Sequence, residues 1–376
     1  MKSYKLKLTA LTPIHIGTGE DYEPTNFVID NGYLYEFDEV KFYAQLTQQM
    51  QENFLKAVES KASDSLFEIH RVIKLNRKEA IASATFKVQI SKGIERDYEQ
   101  KVGRVVQNEG GRNVQKSKVF NRFQIAKTAR LTNGYRVYIP ASSIKGSMAT
   151  AFQEMVYKQD YKAYKRLFED SKPQERIFKN LMLSDTKPLK TYSMVGYSLN
   201  KERFEDDELG PSNKVETIFT GSEFETILQI RDYRVEKEIE FEQLKESCNA
   251  HYLPLFQELF DSESIFKGQK VDEYTNSYFS DAFYDKYKDF KLKPNQFLIR
   301  VGKHSGARAV TIDGMREIRV KGSGGGPRRK PNRWETLDQE TTTWMFGASE
   351  RATSNLTPFG WMLCELLQYN KFKKGE

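Results

Sequence analysis

The chain has 376 residues, 38% of them hydrophobic and 13% aromatic, with 59 Lys and Arg against 52 Asp and Glu. A chain of that length buries roughly 70% or more of the surface it exposes unfolded, which excludes a disordered tail and suggests two domains. A formal net charge of +7 is modest at this size, so the placement of charge says more than its sum.

No run of 18 apolar residues occurs, and the opening "MKSYKLKLTA" alternates charged with apolar residues where a signal core would be continuous. The sequence therefore predicts no membrane span and no export. Cys248 and Cys364 are the only cysteines and sit in no metal-ligand spacing, which argues against a disulfide framework or a zinc site and for a reducing cytoplasm. No cofactor or metal is expected.

In "YKLKLTALTPIHIG", Tyr4, Leu6, Leu8 and Ala10 share one face and Lys5, Lys7 and Thr9 the other, the period of a half-buried strand that Pro13 ends. "FVIDNGYLYEF" reads as a hairpin, with Asn31-Gly32 supplying the positive φ angles of a tight turn. From Val40 the spacing of Phe42, Leu46, Met50, Phe54 and Val58 predicts one amphipathic helix. Between Lys87 and Thr132 the sequence is polar, basic and punctuated by glycine ("NEGGRN"), with Phe120, Phe123 and Ile125 isolated, and it reads as a long insertion or mobile hairpin outside the core.

"YRVYI" predicts a strand and Ser143 to Tyr157 a helix with Ile144, Met148, Ala151, Phe152 and Met155 as its apolar stripe. "NLMLSDT" and "VETIFTGSEFETILQI" read as strands, Phe241 to Phe260 as an amphipathic helix, and Tyr274 to Tyr287 as aromatics at helix-like spacing. "QFLIRV" is a strand, the glycine-bearing "GKHSGARAVTIDG" follows, "VKGSGGGPRRKPNRW" is a flexible loop by composition, and "FGWMLCELL" closes the chain. The order fits an α+β protein of two ferredoxin-like (RRM-like) domains, 1–180 and 181–376. The first carries the basic insertion at about 87–132, and the second a helical insertion and glycine-rich loops.

Positive charge concentrates in two places. Lys87 to Arg130 holds eleven Lys or Arg against Glu95, Asp97, Glu99 and Glu109, and Met315 to Arg333 holds Arg316, Arg319, Lys321, Arg328, Arg329, Lys330 and Arg333 against Glu317. Such clusters are the footprint of a phosphate-binding surface or of a solvated loop, because each neutralised phosphate releases a condensed counterion. In "IPASSIKG" the proline ends a strand, Ser142 or Ser143 can cap the following helix, and its bare N–H groups attract an anion, with Lys145 and Gly146 where a phosphate would lie. The alternative is an ordinary helix start.

"LTPIHIGTGE", "FVIDNGYLYEFD", "YIPASSIKGSMATAF" and "SNLTPFGWMLCELL" together resemble the RAMP superfamily of CRISPR effector proteins over nearly the whole chain. They are most similar to the subunit that caps the 3′ end of the guide RNA in type III-A Csm complexes. Ala141 stands where that pattern has glycine, and Thr150 where it often has arginine.

The resemblance implies ferredoxin-like cores that hold single-stranded crRNA through its backbone and 2′-hydroxyls. It implies as partners the crRNA, target RNA, neighbouring backbone and small Csm subunits, and host nucleases that trim the guide. The candidate RNA contacts are His15, Gly17 and Gly19 in the first loop, and Arg122, Lys127 and Arg130 in the insertion. Ser142, Ser143, Lys145 and Gly146 follow at the helix start, then Lys303, His304 and Arg308 in the late glycine-bearing loop, and Arg316, Arg328, Arg329, Lys330 and Arg333 in the last basic cluster. Phe120 and Phe123 could stack on bases or pack locally.

For a catalytic alternative, an endoribonuclease acting on precursor crRNA, the candidates are His15, His304 and Lys145. His15 lies between Ile14 and Ile16 and reads as a packed residue, while His70 and His251 have no evident partners in sequence. Asp21 and Asp30 are the nearest candidates for metal-assisted cleavage, but Asp30 belongs to the hairpin turn. No paired-carboxylate motif occurs, and "KGSGGGP" lacks the elements of a P-loop. The expected protein is a non-catalytic RNA-binding subunit.

Overall fold

The computed structural model describes residues 1–59, 65–103, 106–107, 118–119, 123–171, 177–202, 209–231, 239–260, 280–320, 333–336, 340 and 342–371. Helices and strands are mixed along the chain, as expected for an α+β protein. The strand Lys2–Ala10 sits near the middle of a six-stranded sheet, between Glu223–Ile230 on one side and Trp361–Lys371 on the other. Lys187–Lys190 and Leu181–Leu183 pair with the former, Gln296–Arg300 with the latter, and every pairing is antiparallel. The period of two decides the faces: Leu6 and Leu8 are fully buried, while Lys5 and Lys7 point the other way and pair with Glu225 and Glu223 at 2.8 Å.

Helices Ala141–Gln159 and Phe241–Gln257 pack on this sheet and on each other. Of the predicted stripe, Ile144, Met148, Ala151 and Phe152 are buried and Met155 is half-buried against them, and they meet Leu244, Cys248, Tyr252 and Phe256 in a core that encloses Trp361.

The second sheet runs Gly17–Tyr22, Ile125–Thr128, Leu209–Ile218, Ser193–Glu202, Ala84–Ile90, Tyr33–Phe37, Phe27–Asp30, with Thr342–Gly347 also pairing Ser193–Glu202. Two of its pairings are parallel. Both sheets draw strands from either side of residue 180, the expected domain boundary, and their buried faces join in one continuous core. The hairpin Phe27–Phe37 turns at Asn31 (φ 48°) and Gly32 (φ 78°), the conformation its Asn-Gly dictates.

Three expectations need correction. The helix predicted from Val40 to Val58 is two helices, Glu39–Gln45 and Gln48–Glu59, broken where Leu46 turns extended. Thr47 Oγ1 accepts from Met50 N at 3.4 Å and recaps the chain, and Val40 is 80% exposed.

"YRVYI" forms no regular strand. Arg130 and Val137 make an isolated bridge across a turn at Gly134 and Tyr135, both at positive φ, while Val137 and Ile139 are buried.

The ends of the basic segment are core rather than loop. Ala84–Ile90 is a sheet strand, and Lys92–Lys101 is a helix, capped by Ser91, that buries Ile94 and Tyr98. Phe123 packs edge-on to Tyr98 at 5.8 Å, and Ile125 is fully buried. Only one face of that helix is apolar, so its composition reads as loop. Among the described residues no helix is long and apolar enough to cross a membrane.

Candidate nucleic-acid interface

The first loop and the late glycine-bearing loop, almost 290 residues apart in sequence, are locked together (residues 15 and 303 of the chain). Ile14 N and O bond Ile218 at 2.9 and 2.8 Å, Lys303 N donates to His15 O at 2.9 Å, and Gly360 N to Pro13 O at 2.9 Å. Gly302 is required at this junction. Its φ is 87°, and a Cβ there would stand 2.6 Å from His15 O.

The His15 imidazole is buried. Its Nδ1 donates to Glu216 O at 2.7 Å, which leaves Nε2 as an acceptor, and burial lowers the ring's pKa. His304, at φ 73°, stacks against His15 at 6.1 Å and lies tilted against Trp344 at 4.4 Å, and desolvation takes its pKa down to about 3. Both rings are neutral at physiological pH and supply no charge to a phosphate.

Beside this junction a cleft of about 430 Å³ opens between the edge strand Gly17–Tyr22, the segment Phe123–Ala126 and the strand Leu209–Ile218, lined among others by Asp21, Gln124, Asn213, Lys214 and Lys303. Its positive charge comes from two lysines with no ion pair among the described residues, set against the carboxylate of Asp21. Lys303 is exposed. Lys214 lies 4.5 Å over the Phe123 ring and 5.9 Å over Tyr197, and desolvation lowers its pKa. Gly17 and Gly19 are exposed on the edge strand Gly17–Tyr22, with Gly19 at φ 83°.

The remaining predicted contacts fall into other places. Arg130 is committed inside the fold. It bonds the fully buried Glu216 and Ser193 Oγ, and its guanidinium lies 4.1 Å over Phe86. Lys127 pairs with Glu36 at 2.6 Å and sits over Tyr22. At the helix start, neither Ser142 nor Ser143 caps. The anion there is the chain's own Asp185, whose Oδ1 accepts from Ala141 N at 2.7 Å.

Lys145 donates to Leu181 O at 2.7 Å, and burial lowers its pKa. Gly146 is exposed, with nothing within 4 Å of where a Cβ would lie. Arg308 pairs with Glu258 at 2.6 Å, and Arg316, 4% exposed, donates to Thr311 Oγ1 at 2.9 Å. These two arginines share a separate cavity with His251. Arg122, Arg328, Arg329, Lys330 and Phe120 lie outside the described residues. Arg333 opens the strand Arg333–Thr336.

The structure thus brings together His15, Gly17, Lys303 and His304, leaves the helix start out of the cleft's lining, and adds Lys214, which sequence reading passes over. Lys214 sits in an ordinary strand pattern, and its aromatic neighbours come from residues 123 and 197. Among the described residues no group of three or more His, Cys, Asp or Glu side chains could hold a metal ion.

The sequence profile of the RAMP superfamily matches residues 7–270, and the chain belongs to that superfamily. Its fold is similar to that of a chain in a cryo-EM structure of a Csm–crRNA–target RNA ternary complex from a type III-A CRISPR–Cas system. That likeness has a TM-score of 0.59 at 16% identity, over 97% of this chain and 100% of that one. A crystal structure of T. onnurineus Csm5 is similar at 15% identity with a TM-score of 0.49, over 81% of this chain and 92% of that one. No curated protein matches the sequence.

Proposed function

We propose that this RAMP protein is a non-catalytic RNA-binding subunit of a type III-A effector complex. In this reading it caps the 3′ end of the crRNA, meets target RNA and the neighbouring Csm subunits, and supports guide maturation in antiviral defence. The cleft carries the reading: two lysines without ion pairs among the described residues, one stacked on aromatic rings, line it beside the edge strand Gly17–Tyr22 and can meet a sugar-phosphate chain. Backbone contacts suffice for a subunit that must accept guides of any sequence. The ternary-complex neighbour supports the choice of partners.

We also assign the ferredoxin-like character to sheets rather than to chain halves. The order Lys187–Lys190, Glu223–Ile230, Lys2–Ala10, Trp361–Lys371, with helices Ala141–Gln159 and Phe241–Gln257 in the crossovers, supports one such unit assembled from both ends of the sequence.

Incubating the purified chain with labelled precursor RNA in EDTA tests the non-catalytic assignment. The expected result is retention without cleavage. Discrete products abolished by His15→Ala or His304→Ala would replace it with an endoribonuclease. RNA affinity should also fall on the order of 10²-fold between 50 and 200 mM salt if several phosphates are held.

A further inference from the structure

A neutral ring stands beside the cleft, and one of its nitrogens is spare. His15 is 1% exposed, and its Nδ1 lies 2.7 Å from Glu216 O. A backbone carbonyl can only accept, so Nδ1 carries the proton and Nε2 is left with a bare lone pair. Burial lowers the pKa of the ring, which keeps it in this neutral form at physiological pH. Nε2 itself has no hydrogen-bond partner among the described residues.

The backbone on either side of the ring is pinned. Ile14 bonds Ile218 through both its N and its O, and Ile16 N donates to Thr128 Oγ1 at 3.1 Å. Gly17 then decides what can reach the lone pair. It is exposed on the edge strand, and a Cβ built on it would stand 3.4 Å from His15 Nε2 and 4.0 Å from Cδ2. Beyond the adjoining residues nothing else lies within 4 Å of that place. Glycine therefore leaves open a position over the acceptor that any other side chain would enter.

The ring is tied to the cleft as well. Lys303, exposed and part of the cleft lining, donates its backbone N–H to His15 O at 2.9 Å. Lys303 and Asp21, another lining residue, are the charges that act on the imidazole, which sets the spare acceptor at the margin of the cleft.

A nucleic-acid strand offers such an acceptor little choice. Its diester and sugar-ring oxygens only accept, and within the strand the 2′-hydroxyl of ribose is the one backbone donor. DNA has none. Lysines hold the phosphates of either polymer, so an element that selects between them has to touch the sugar.

We propose that His15 Nε2 accepts a hydrogen bond from a ribose 2′-hydroxyl entering over Gly17, while Lys303 meets a neighbouring phosphate, so that this corner of the cleft selects RNA over DNA without reading a base. The assignment rests on the chain being an RNA-binding subunit and names the residue that senses the sugar. His15 acts as a hydrogen-bond partner, and no bond is made or broken.

Oligonucleotides of one sequence with 2′-hydroxyl, 2′-deoxy or 2′-fluoro sugars are compared by fluorescence anisotropy on the purified chain. The fluoro sugar keeps the pucker of ribose but lacks its proton, which separates hydrogen bonding from shape. RNA should bind about fivefold tighter than either analogue, the worth of one hydrogen bond. His15→Asn keeps an amide donor for Glu216 O and removes Nε2, and Gly17→Ala sets a methyl over the acceptor at ordinary contact distance. Each should bring the ratio of RNA to fluoro-strand affinity down toward one. A variant that merely loosens the cleft weakens all three strands together, and a ratio that stays high in both variants overturns the assignment. Should His15→Asn fail to fold, Gly17→Ala still decides. Equal affinity for the three strands on the parent chain overturns the assignment and leaves the RNA-binding reading intact. A chain that binds none of them overturns the RNA-binding reading itself.

Discussion

Arg130 donates from Nε to Oε1 of Glu216 at 3.1 Å, and Glu216 is wholly buried. Glu216 also accepts from Thr128 N at 3.1 Å and Tyr22 OH at 3.2 Å, so one carboxylate ties the edge strand of the second sheet, its neighbour and the segment after it. An arginine that composition assigns to a phosphate is an internal strut.

Removing one partner of such a pair strands the other charge in a low-dielectric site. Arg130→Ala should cost about 3 kcal/mol or more of stability, read from urea midpoints, while Arg130→Ala chains that remain folded keep the parent's salt dependence of RNA binding. A flattened salt slope with unchanged stability would return Arg130 to the RNA surface.

The opposite pattern is expected at the cleft. Lys303→Ala and Lys214→Ala should each lower the log–log salt slope by about 0.7, the contribution of one phosphate on a single strand, with Lys303→Ala leaving the melting temperature in place. Unchanged slopes in both variants would empty the cleft of its role.

Two glycines separate packing from approach. Gly302→Ala drives a Cβ into His15 O from a left-handed backbone and should destabilise the chain by about 2 kcal/mol or more. Gly146→Ala meets nothing and should stabilise the helix by about 0.5 to 1 kcal/mol. If RNA runs close over that helix turn, Gly146→Glu lowers RNA affinity without lowering the melting temperature. Full affinity in Gly146→Glu would put the RNA elsewhere.

Acid should weaken the fold before the carboxylates titrate. Burial holds His304 down to about 3 and His70 to about 4, against about 6.5 unfolded, so the unfolded chain takes up these protons first as pH drops. Their contribution is complete above about pH 6.5 and is lost progressively toward pH 4, by roughly 1 to 2 kcal/mol each. Urea midpoints at pH 7 and pH 5 should show the decline, and His304→Asn, which tolerates the positive φ, should reduce it. Identical midpoints at the two pH values would contradict it.

Local chemistry was readable from the sequence and long-range pairing was not. The Asn31-Gly32 turn, the alternation in Lys2–Ala10 and the stripe of Ala141–Gln159 depend on neighbours within a few residues, and they fold as their spacing predicts. Which cations remain available for a ligand depends on partners far along the chain: Glu216 for Arg130, Glu36 for Lys127 and Glu258 for Arg308 are separated by 86, 91 and 50 residues. Composition counts those charges alike, and only the topology shows which are spent. The break at Leu46 was hidden for a smaller reason, since Thr47 can cap a helix or sit within one.

The antiparallel ladder from Lys2 opposite Lys371 to Ala10 opposite Met362 has a consequence for synthesis. During translation Lys2–Ala10 emerges long before the partner on one of its sides, leaving a free hydrogen-bonding edge until Trp361–Lys371 clears the ribosome tunnel. Folding of this sheet therefore waits on the synthesis of Trp361–Lys371 and is slow for its length, and a nascent chain stalled short of Trp361 would be a target for chaperones or for self-association.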